Sequence, residues 1–360
     1  MSKLPENPIP IQNPLKLSDF DFSLPSELVA QEPAAARDRS RLMIIDRRTG
    51  TIRHDLFTNL TQYLAHHPLM VFNDTKVVPA KLVGRKKHTG KPVEVLLIRE
   101  IKTNRWEALV KGLGGMKTGS ELVFGTEDLI AVLLEKRDGR GILCFHCSGE
   151  LKTTLENAAQ VPLPPYIKRN TSPNMEKLDR ERYQTVYAKN AGAIAAPTAG
   201  LHFTDPMLRT INPKYAETVF LTLHVGPGTF QPVRSEIIYS HTMEKEFYRI
   251  PRNTWNRLVE AKATGRDILA VGTTSTRTLE SVNLATPVEN DVSGWTNRFI
   301  YPGYEFKNVQ RLLTNFHLPK STLYLLVCAF AGKRLMDKAY ETAKHEKYRF
   351  FSYGDAMLIL

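Results

Sequence analysis

The sequence predicts an α/β main domain that is discontinuous along the chain and carries an inserted all-β, barrel-like domain. Two observations lead to this fold class. Residues 77–147 consist of short apolar runs separated by turns, whereas helix-like and strand-like segments alternate on both sides of them. The chain of 360 residues is also longer than the ~150 residues of an average domain. We therefore assign residues 1–76 and 151–360 to the main domain and residues 77–150 to the insertion.

The first part of the main domain begins with an extended tail, residues 1–14, that prolines interrupt. LPSELVAQ, from Leu24 to Gln31, is predicted to form a short helix. Two strand-like runs around the turn RRTG predict a hairpin between Arg41 and His54. DLFTNLTQYLAHH then places apolar residues at helical spacing, and LMVFND is predicted as a buried strand that ends at Asp74.

The insertion contains a series of strand-like runs: VVPAKLVG, PVEVLLIRE, RWEALVKG, SELVF, LIAVLLEK and GILCFHC. Turns rich in Gly and Lys, such as KHTGK and KRDGRG, separate them. Short strands that follow one another across turns are typical of a small barrel. The apolar run LIAVLLEK is also compatible with a helix, and this alternative is left open.

The second part of the main domain returns to alternating segments from Leu151 onward. LDRERYQTVYAK and TWNRLVEAKATG are predicted as helices, TVFLTLHV as a strand, and DILAVGTT as a strand that leads into a helix. Three prolines in QVPLPPYIKR favour a stiff, extended linker, which suits the return of the chain from the insertion.

The composition indicates a soluble cytoplasmic protein. Apolar residues make up 42% and charged residues 24%, as in ordinary globular proteins. The longest apolar stretch, Leu323 to Ala331, is far shorter than the ~20 residues that cross a bilayer. The first residues lack the apolar core of a signal peptide. We predict no association with a membrane.

Basic residues exceed acidic ones by 49 to 37, which gives a net charge of +12. Part of the excess is clustered, in RKKH from Arg85, in Lys168-Arg169, in Lys333-Arg334 and in KHEKYR from Lys344. Such clusters attract polyanions, so nucleic acid is a candidate partner. A basic surface that is merely solvated explains the composition equally well.

Neither a metal site nor a common nucleotide-binding motif is predicted. Cys144 and Cys147 form a C-x-x-C, but in a strand-like run residues three apart point to opposite faces, and no second cysteine pair completes a zinc site. KGLGGMKTGS lacks both the third glycine of a dinucleotide-binding turn and the lysine of a P-loop.

Three segments rich in small residues are candidate ligand-binding loops. AAPTAGLHFT offers Thr198, His202 and Thr204, and LHVGPGTFQPV follows a strand that ends at His224. AVGTTSTRTLES leads from a strand into a helix through four residues with small side chains, where Thr273, Thr274 and Arg277 would suit a carboxylate or phosphate. The structural alternatives are a tight turn with a hydrogen-bonded histidine, a turn that closes a sheet, and simple helix capping.

Two further segments combine aromatic residues with candidate polar groups. TNFHLPKSTL contains His317, and YRFFSYGDAMLIL contains Asp355. Aromatic side chains near basic residues can stack on RNA bases. Packing in the core is the favoured interpretation for most of these aromatics.

Taken together, these segments resemble the S-adenosylmethionine:tRNA ribosyltransferase-isomerase family. The resemblance covers nearly the whole chain from about Leu17, and the matching segments occur in the order of the family. They are LPSELVAQEP with RDRSRLMIIDR, VFNDTKVVPAKLVG, ERYQTVYA, AAPTAGLHFT, LHVGPGTFQPV, AVGTTSTRTLES, FIYPGY, TNFHLPKSTL and YRFFSYGDAMLI. The sequence departs from the family pattern at Lys76, Pro227, Thr276 and Glu244.

The resemblance implies an α/β domain with an inserted β-barrel and a reaction on tRNA. The ribosyl group of S-adenosylmethionine would be transferred to 7-aminomethyl-7-deazaguanine at the wobble position in the anticodon stem-loop. The product would be epoxyqueuosine, with release of adenine and methionine. S-adenosylmethionine would be a co-substrate, and neither a cofactor nor a metal is expected. The protein would act as a monomer or homodimer.

This chemistry needs a base, an acid and a clamp for the methionine carboxylate. We expect proton transfer by His202 or His224, with Glu246 as an alternative. Arg277 with Thr273 and Thr274 would hold a carboxylate or phosphate, and Asp74 would read a ribose or the deazaguanine edge. Substrate binding is also expected of Thr198, His317 and Asp355. Two rival classes stay open, an RNA-directed transglycosylase or methyltransferase and a non-catalytic RNA-binding module.

Overall fold

The computed structural model describes residues 14–125, 128–169, 173–230, 233 and 235–360, so the predicted N-terminal tail lies outside it except for Pro14. The strands are β1 (Arg41–Asp46), β2 (Thr51–Leu56), β3 (Leu69–Asn73), β4 (Thr75–Val77), β5 (Lys81–Lys86), β6 (Pro92–Lys102), β7 (Arg105–Val110), β8 (Glu121–Phe124), β9 (Leu129–Arg137), β10 (Arg140–His146), β11 (Asn190–Ala193), β12 (Glu217–Leu223), β13 (Glu246–Ile250), β14 (Ile268–Val271), β15 (Val292–Thr296), β16 (Arg311–Asn315) and β17 (Ala356–Ile359). The α-helices are α1 (Leu151–Ala158), α2 (Pro173–Arg182), α3 (Asp205–Ile211), α4 (Arg252–Ala263), α5 (Thr273–Leu279), α6 (Thr322–Ala331) and α7 (Lys333–His345).

The main domain is built on a nine-stranded mixed sheet in the order β15-β13-β12-β3-β14-β16-β17-β1-β2. Its four central strands, β12, β3, β14 and β16, run parallel to one another. All five residues of β3 are buried, because a central parallel strand is covered on both faces. This explains why its first four residues, Leu69 to Phe72, are continuously apolar rather than alternating.

Two separate cores cover the two faces of this sheet. Leu69 and Val71 of β3 join a cluster that includes side chains of α4, α6 and α7. Met70 and Phe72, which point the other way, join a second cluster with Phe203 and residues near α3. Successive residues of a strand face opposite sides, so one five-residue strand contributes to both cores.

The insertion forms a closed antiparallel barrel in the order β10-β7-β6-β5-β8-β9. The run LIAVLLEK lies in β9, which pairs with both β8 and β10, and the helical alternative for it is wrong. Leu129, Ala131 and Leu133 point into the barrel core, at the period of two that a half-buried strand requires. The predicted fold class, an α/β domain with a barrel-like insertion, is confirmed.

The barrel contacts the main domain through backbone and side-chain hydrogen bonds. The backbone of Gln160, in the proline-rich linker, pairs with Lys81 at the start of β5, with an N···O distance of 2.8 Å. Arg140 of β10 donates to the carboxylate of Glu244 at 2.6 Å. The carboxylate of Glu244 therefore contacts the barrel.

Two predicted helices are only partly confirmed. LDRERYQTVYAK is helical through Arg182 alone, as the end of α2. Beyond it Tyr183 is fully buried, and the Gln184 amide bonds the backbone N–H and C=O of Val77 at 3.0 and 3.1 Å, so these side chains serve tertiary contacts instead. The segment after Asp55 forms a 3-10 helix, Phe57–Tyr63, in which Phe57 and Leu60 are buried.

LPSELVAQ forms only one 3-10 turn, Ser26–Leu28, after Pro25. The hairpin is confirmed, since β1 and β2 pair antiparallel. The longest apolar run of the sequence lies in α6, which has 10 residues. Within the described ranges, no helix combines the length and the apolar character that a membrane span requires.

Candidate active site

A cavity of about 330 Å³ lies beyond the carboxyl ends of the parallel strands β12, β14 and β16. Ligands bind at this edge in open α/β sheets, and the volume is within the usual range for a small-molecule site. Its walls come from segments distant in sequence. They include Pro164–Tyr166, Tyr183, Ala195–Ala199, Val225, Gly272–Thr274, Arg277, Thr314–Leu323, Phe351 and Ser352.

A larger cavity of about 800 Å³ lies between the barrel and the proline-rich linker. Its charged groups are already paired: Glu94 accepts from Lys81 and Lys111 at 3.1 and 2.8 Å, and Arg169 binds Asp179 at 2.7 Å. We regard the smaller cavity as the candidate active site because it lies at the sheet edge and gathers the predicted loops.

The loop AAPTAGLHFT forms one wall of the cavity through a 3-10 helix, Thr198–His202. A Cβ atom at Gly200 would overlap the hydroxyl of Tyr187, so this position requires glycine. Thr198 faces the cavity. Thr204 instead caps α3, where its hydroxyl accepts the N–H of Met207 at 3.3 Å.

His202 is buried behind the cavity wall. Asn315 Nδ2 lies 3.1 Å from Nε2 of the ring, and Ser40 Oγ lies 2.7 Å from Nδ1. With the amide donating to Nε2, a neutral ring carries its proton on Nδ1 and donates it to Ser40. Burial, together with the charges of Arg349 and Arg37, lowers the pKa of His202 to about 3. The imidazole is therefore neutral at pH 7.

Two buried polar atoms in the residues that line the cavity have no partner within the described structure: Asn315 Oδ1 and Arg277 Nη2. One is an acceptor and the other a donor. The same Asn315 amide directs its nitrogen at the carbonyl of Phe351, 3.1 Å away, which fixes its orientation. Leaving a buried polar atom unpaired costs about 1–3 kcal/mol, so a bound ligand is the natural partner for both.

Arg277 is held in the wall by a buried ion pair with Glu246. Its Nε donates to the carbonyl of Arg298 at 3.0 Å. The other carboxylate oxygen of Glu246 accepts the N–H of Gly226 at 3.0 Å, at the start of the Gly-Pro-Gly turn. Glu246 therefore joins two of the predicted loops.

The threonine-rich helix α5 uses most of its hydroxyl groups internally. Gly272 precedes it with φ +90°, a conformation that favours glycine. Ser275 and Thr276 donate to the carbonyls of Val271 and Gly272, and Thr278 donates to that of Thr274. Thr274 accepts from Asn73 at 3.1 Å, and both Thr273 and Thr274 line the cavity.

His317 and Asp355 occupy different surroundings. His317 lines the cavity with its Nε2 3.0 Å from Thr314 Oγ1, and burial lowers its pKa to about 3. Asp355 instead accepts backbone N–H groups of Arg41 and Arg349 at 3.0 and 2.8 Å, and it joins β1 to the segment that precedes β17.

Asp74 and His224 form a second polar cluster at the same edge of the sheet. Asp74 is buried and accepts from Thr222 at 2.6 Å and from Asn190 at 3.1 Å. His224 is half-buried, with Nδ1 2.8 Å from Thr75 Oγ1. Burial lowers the pKa of His224, and the charge of Asp74 opposes this shift. His224 directly precedes Val225, which lines the cavity.

Four polar residues of the site were not predicted from the sequence: Asn73, Asn315, Ser40 and Ser352. A signal for two of them was present: Asn73 and Asn315 are the last residues of the buried strands β3 and β16. A single amide at the carboxyl end of an apolar parallel strand points to the edge where ligands bind. Ser40 and Ser352 had no such signal.

Comparison with known proteins relates the chain to one family over nearly its whole length. A family model for "Queuosine biosynthesis protein" matches residues 17–359. Proteins named S-adenosylmethionine:tRNA ribosyltransferase-isomerase are similar to it. That of Caldanaerobacter subterraneus subsp. tengcongensis is 50% identical over 347 residues, which are 96% of this chain and 100% of the relative. That of Staphylococcus aureus strain Newman is 45% identical over the same shares.

A solved structure is also similar. The crystal structure of S-adenosylmethionine tRNA ribosyltransferase from Thermotoga maritima is 38% identical in sequence, with a TM-score of 0.53. The match covers 95% of this chain and 100% of that one.

Proposed function

The chain belongs to the queuosine biosynthesis protein family, and on that premise we propose the reaction that its cavity carries out. The protein is an S-adenosylmethionine:tRNA ribosyltransferase-isomerase. It transfers the ribosyl group of S-adenosylmethionine to 7-aminomethyl-7-deazaguanine at the wobble position of tRNA. The product is epoxyqueuosine, and adenine and methionine are released in equal amounts.

The proposed reaction begins with the acidity that the positive sulfur confers on the adjacent C5′–H bonds. A base removes one of these protons, and the electron pair of the resulting ylide forms a C4′–C5′ double bond as the C4′–O4′ bond breaks. O4′ becomes the carbonyl oxygen of C1′ as the glycosidic bond breaks, and adenine leaves and takes up a proton. The amine of the tRNA base adds to C4′ and loses a proton, which restores the ylide at C5′. The ylide carbon attacks the C1′ carbonyl, and the resulting alkoxide closes the epoxide at C5′ as the carbon–sulfur bond to methionine breaks. The sulfonium supplies the driving force, so the reaction needs neither a metal nor a redox cofactor.

The observation that supports this assignment most directly is the pair of unsatisfied atoms in the residues that line the cavity. Arg277 Nη2 is a buried cationic donor, which suits the methionine carboxylate, with Thr273 and Thr274 beside it. Asn315 Oδ1 is a buried acceptor, which suits the exocyclic amine of adenine. Thr198 and His317 line the same cavity and contact the rest of the substrate.

We assign the base to His224 in preference to His202. A general base works best with a pKa near the working pH, and the pKa of His202 is about 3. His224 is only half-buried, and Asp74 opposes the lowering of its pKa. The carboxylate of Asp74 accepts a hydrogen bond from a ribose hydroxyl or from the edge of the deazaguanine base. Glu246, which is bonded to Arg277, is the alternative base. Asp355, which the sequence predicted to bind substrate, is not in the cavity wall and accepts two backbone N–H groups instead.

The proposed partners are S-adenosylmethionine and the anticodon stem-loop of tRNA. The protein acts in the cytoplasm without a membrane, as a monomer or homodimer. The polyanionic partner agrees with the net charge of +12 and with the basic clusters of the sequence.

Product analysis tests the proposal. The protein is incubated with labelled S-adenosylmethionine and tRNA that carries 7-aminomethyl-7-deazaguanine, and the products are separated by chromatography. We expect adenine and methionine in a 1:1 ratio, with no turnover on matched tRNA that carries guanine at this position. His224→Ala is expected to lose turnover, on the order of 100-fold or more, a typical contribution of general-base catalysis. Release of S-adenosylhomocysteine would identify a methyltransferase, and no turnover at all would favour an RNA-binding module.

A further inference from the structure

Three arginines from distant parts of the chain converge on a second, much smaller pocket. Arg37 lies in the 3-10 helix Arg37–Arg39 before β1, Arg182 is the last residue of α2, and Arg349 lies between α7 and β17. All three line a pocket of about 20 Å³ together with Ser40, His202, Ser352 and Tyr353. None of these arginines has a role in the proposed chemistry.

The positive charge of this cluster is poorly compensated. Arg37 donates to the backbone carbonyls of Leu201 and Glu181 at 3.3 and 3.0 Å, and Arg182 donates to that of Ala34 at 2.7 Å. Carbonyl groups orient the guanidinium groups but carry no net charge. Burial and the charge of Arg182 lower the pKa of Arg37, and the charge of Glu181 only partly opposes this shift.

Only one carboxylate in the described part of the chain lies within 4 Å of the three arginines. It belongs to Asp355, 3.8 Å from Arg349, and it already accepts two backbone N–H groups. The Nε atom of Arg182 is buried and has no partner. The cluster therefore presents excess positive charge and at least one unused donor, which together suit an anion.

The size and position of the pocket indicate which anion. A volume of about 20 Å³ holds roughly one oxygen atom, so the anion inserts an oxygen while the rest stays outside. Ser352 lines both this pocket and the candidate active site, and its hydroxyl lies 2.7 Å from that of Tyr166, in the wall of the active site. An anion bound here therefore lies beside the substrate cavity.

We propose that Arg37, Arg182 and Arg349 bind a backbone phosphate of the tRNA strand, next to the nucleotide whose base enters the cavity. A phosphodiester offers a non-bridging oxygen that fits the pocket, and guanidinium groups match the geometry of phosphate. This inference rests on the proposed function, since it takes tRNA as the substrate. The carboxylate of S-adenosylmethionine is the alternative anion, and the experiment below distinguishes it from a tRNA phosphate.

The test measures tRNA binding and catalysis separately in single Arg→Gln variants of the full chain. Arg209→Gln, an exposed arginine of α3, is the matched control for loss of one charge. The dissociation constant for tRNA is measured without S-adenosylmethionine over a salt series. We expect the variants at positions 37, 182 and 349 to bind tRNA about 10-fold more weakly. The plot of the logarithm of the association constant against the logarithm of salt concentration should become less steep by about 0.7–0.9, because one phosphate contact is lost. The KM for S-adenosylmethionine should stay within twofold of the wild type.

Arg349→Gln is the most informative variant, because its side chain is 36% exposed and its removal leaves the backbone contacts of the other two arginines intact. Arg349→Lys should restore part of the affinity, since it keeps the charge but not the planar fork. Wild-type tRNA affinity and salt slope in Arg349→Gln and Arg182→Gln would overturn the inference. A higher KM for S-adenosylmethionine with unchanged tRNA binding would assign the cluster to the carboxylate instead. If the wild type binds tRNA but releases no adenine, the proposed function is wrong. The tRNA affinities of the variants would still decide whether the three arginines bind a phosphate.

Discussion

The barrel and the main domain differ in what they bury. The barrel core consists of apolar side chains, among them Leu122, Leu133, Leu143 and Phe145. Among the described residues of β5–β10, no charged side chain is buried, and neither is any Ser, Thr, Asn, Gln or His. The main domain buries many such residues, and they concentrate at the carboxyl edge of its parallel strands.

This difference indicates that the side chains of the barrel core serve stability alone, whereas those of the main domain also form the candidate active site. Burying a polar group costs free energy unless it is hydrogen-bonded, so a fold retains such groups where they orient a site. Asn315, Arg277 and His202 illustrate the point, since each is buried and contacts a neighbour that lines or supports the cavity. We therefore expect substitutions in the two regions to have different consequences, and three predictions examine this contrast.

The largest effect is expected for Arg277→Ala. It leaves the buried carboxylate of Glu246 without its partner, which should lower the free energy of unfolding by about 3–5 kcal/mol. It also removes the proposed carboxylate donor, so kcat/KM for S-adenosylmethionine should fall on the order of 100-fold. Urea denaturation and steady-state kinetics measure the two effects.

Two controls separate stability from activity at this position. Arg257→Ala breaks ion pairs with Glu217 and Glu260 in which the arginine is 40% exposed, and it should cost about 1 kcal/mol with no change in kcat/KM. Arg277→Met combined with Glu246→Gln removes both charges and should regain stability but not activity. A kcat/KM within twofold of the wild type in Arg277→Ala would contradict the assignment.

In the barrel, Leu143→Ala should affect stability alone. Leu143 is fully buried in β10, and such a substitution typically costs 2–5 kcal/mol because it leaves a cavity. Leu134→Ala on the outside of β9, where the side chain is 36% exposed, should change stability by less than about 0.5 kcal/mol. Below the unfolding transition, both variants should keep the wild-type kcat. A reduced kcat in folded Leu143→Ala would show that the barrel core takes part in catalysis.

The effect that is smallest at neutral pH concerns the titration of the buried histidines. Burial lowers the pKa of His202 and of His317 to about 3, whereas an unfolded histidine has a pKa near 6.5. Between about pH 6.5 and 3 the unfolded chain binds these protons and the folded chain does not. Stability is therefore full above pH 6.5 and falls on acidification, by up to about 1.4 kcal/mol per pH unit for each histidine.

His202→Gln tests this contribution. Around His202 lie Ser40 and Asn315, the ring of Phe57 at 5.0 Å, and the charges of Arg37 and Arg349. Glutamine keeps a donor and an acceptor but does not titrate. The slope of the unfolding free energy against pH between 6.5 and 5 should therefore decrease by up to about 1.4 kcal/mol per pH unit, the contribution of one proton. An unchanged slope would mean that His202 does not stay neutral when folded.

The sequence by itself determined the barrel and five strands of the main sheet, namely β1, β2, β3, β12 and β14. Consecutive antiparallel strands joined by short turns are local features, and the period of two in LIAVL or the continuous burial of LMVFN is visible in the residues. The three glycine-rich loops were also visible, because close approach of the backbone requires small side chains. The resemblance to the family then predicted that these segments belong to one fold and one active site.

Only the tertiary structure decided what the polar residues contact. Arg277 and Glu246 are 31 positions apart, and nothing in either segment predicts that the proposed anion clamp forms an ion pair with the alternative base. The helix predicted through Lys189 ends at Arg182, because tertiary contacts of Tyr183 and Gln184 outweigh local helix propensity. The convergence of Arg37, Arg182 and Arg349 is of the same kind. Local pattern fixes which face of an element is buried, whereas the partner of a buried polar atom depends on how distant segments meet.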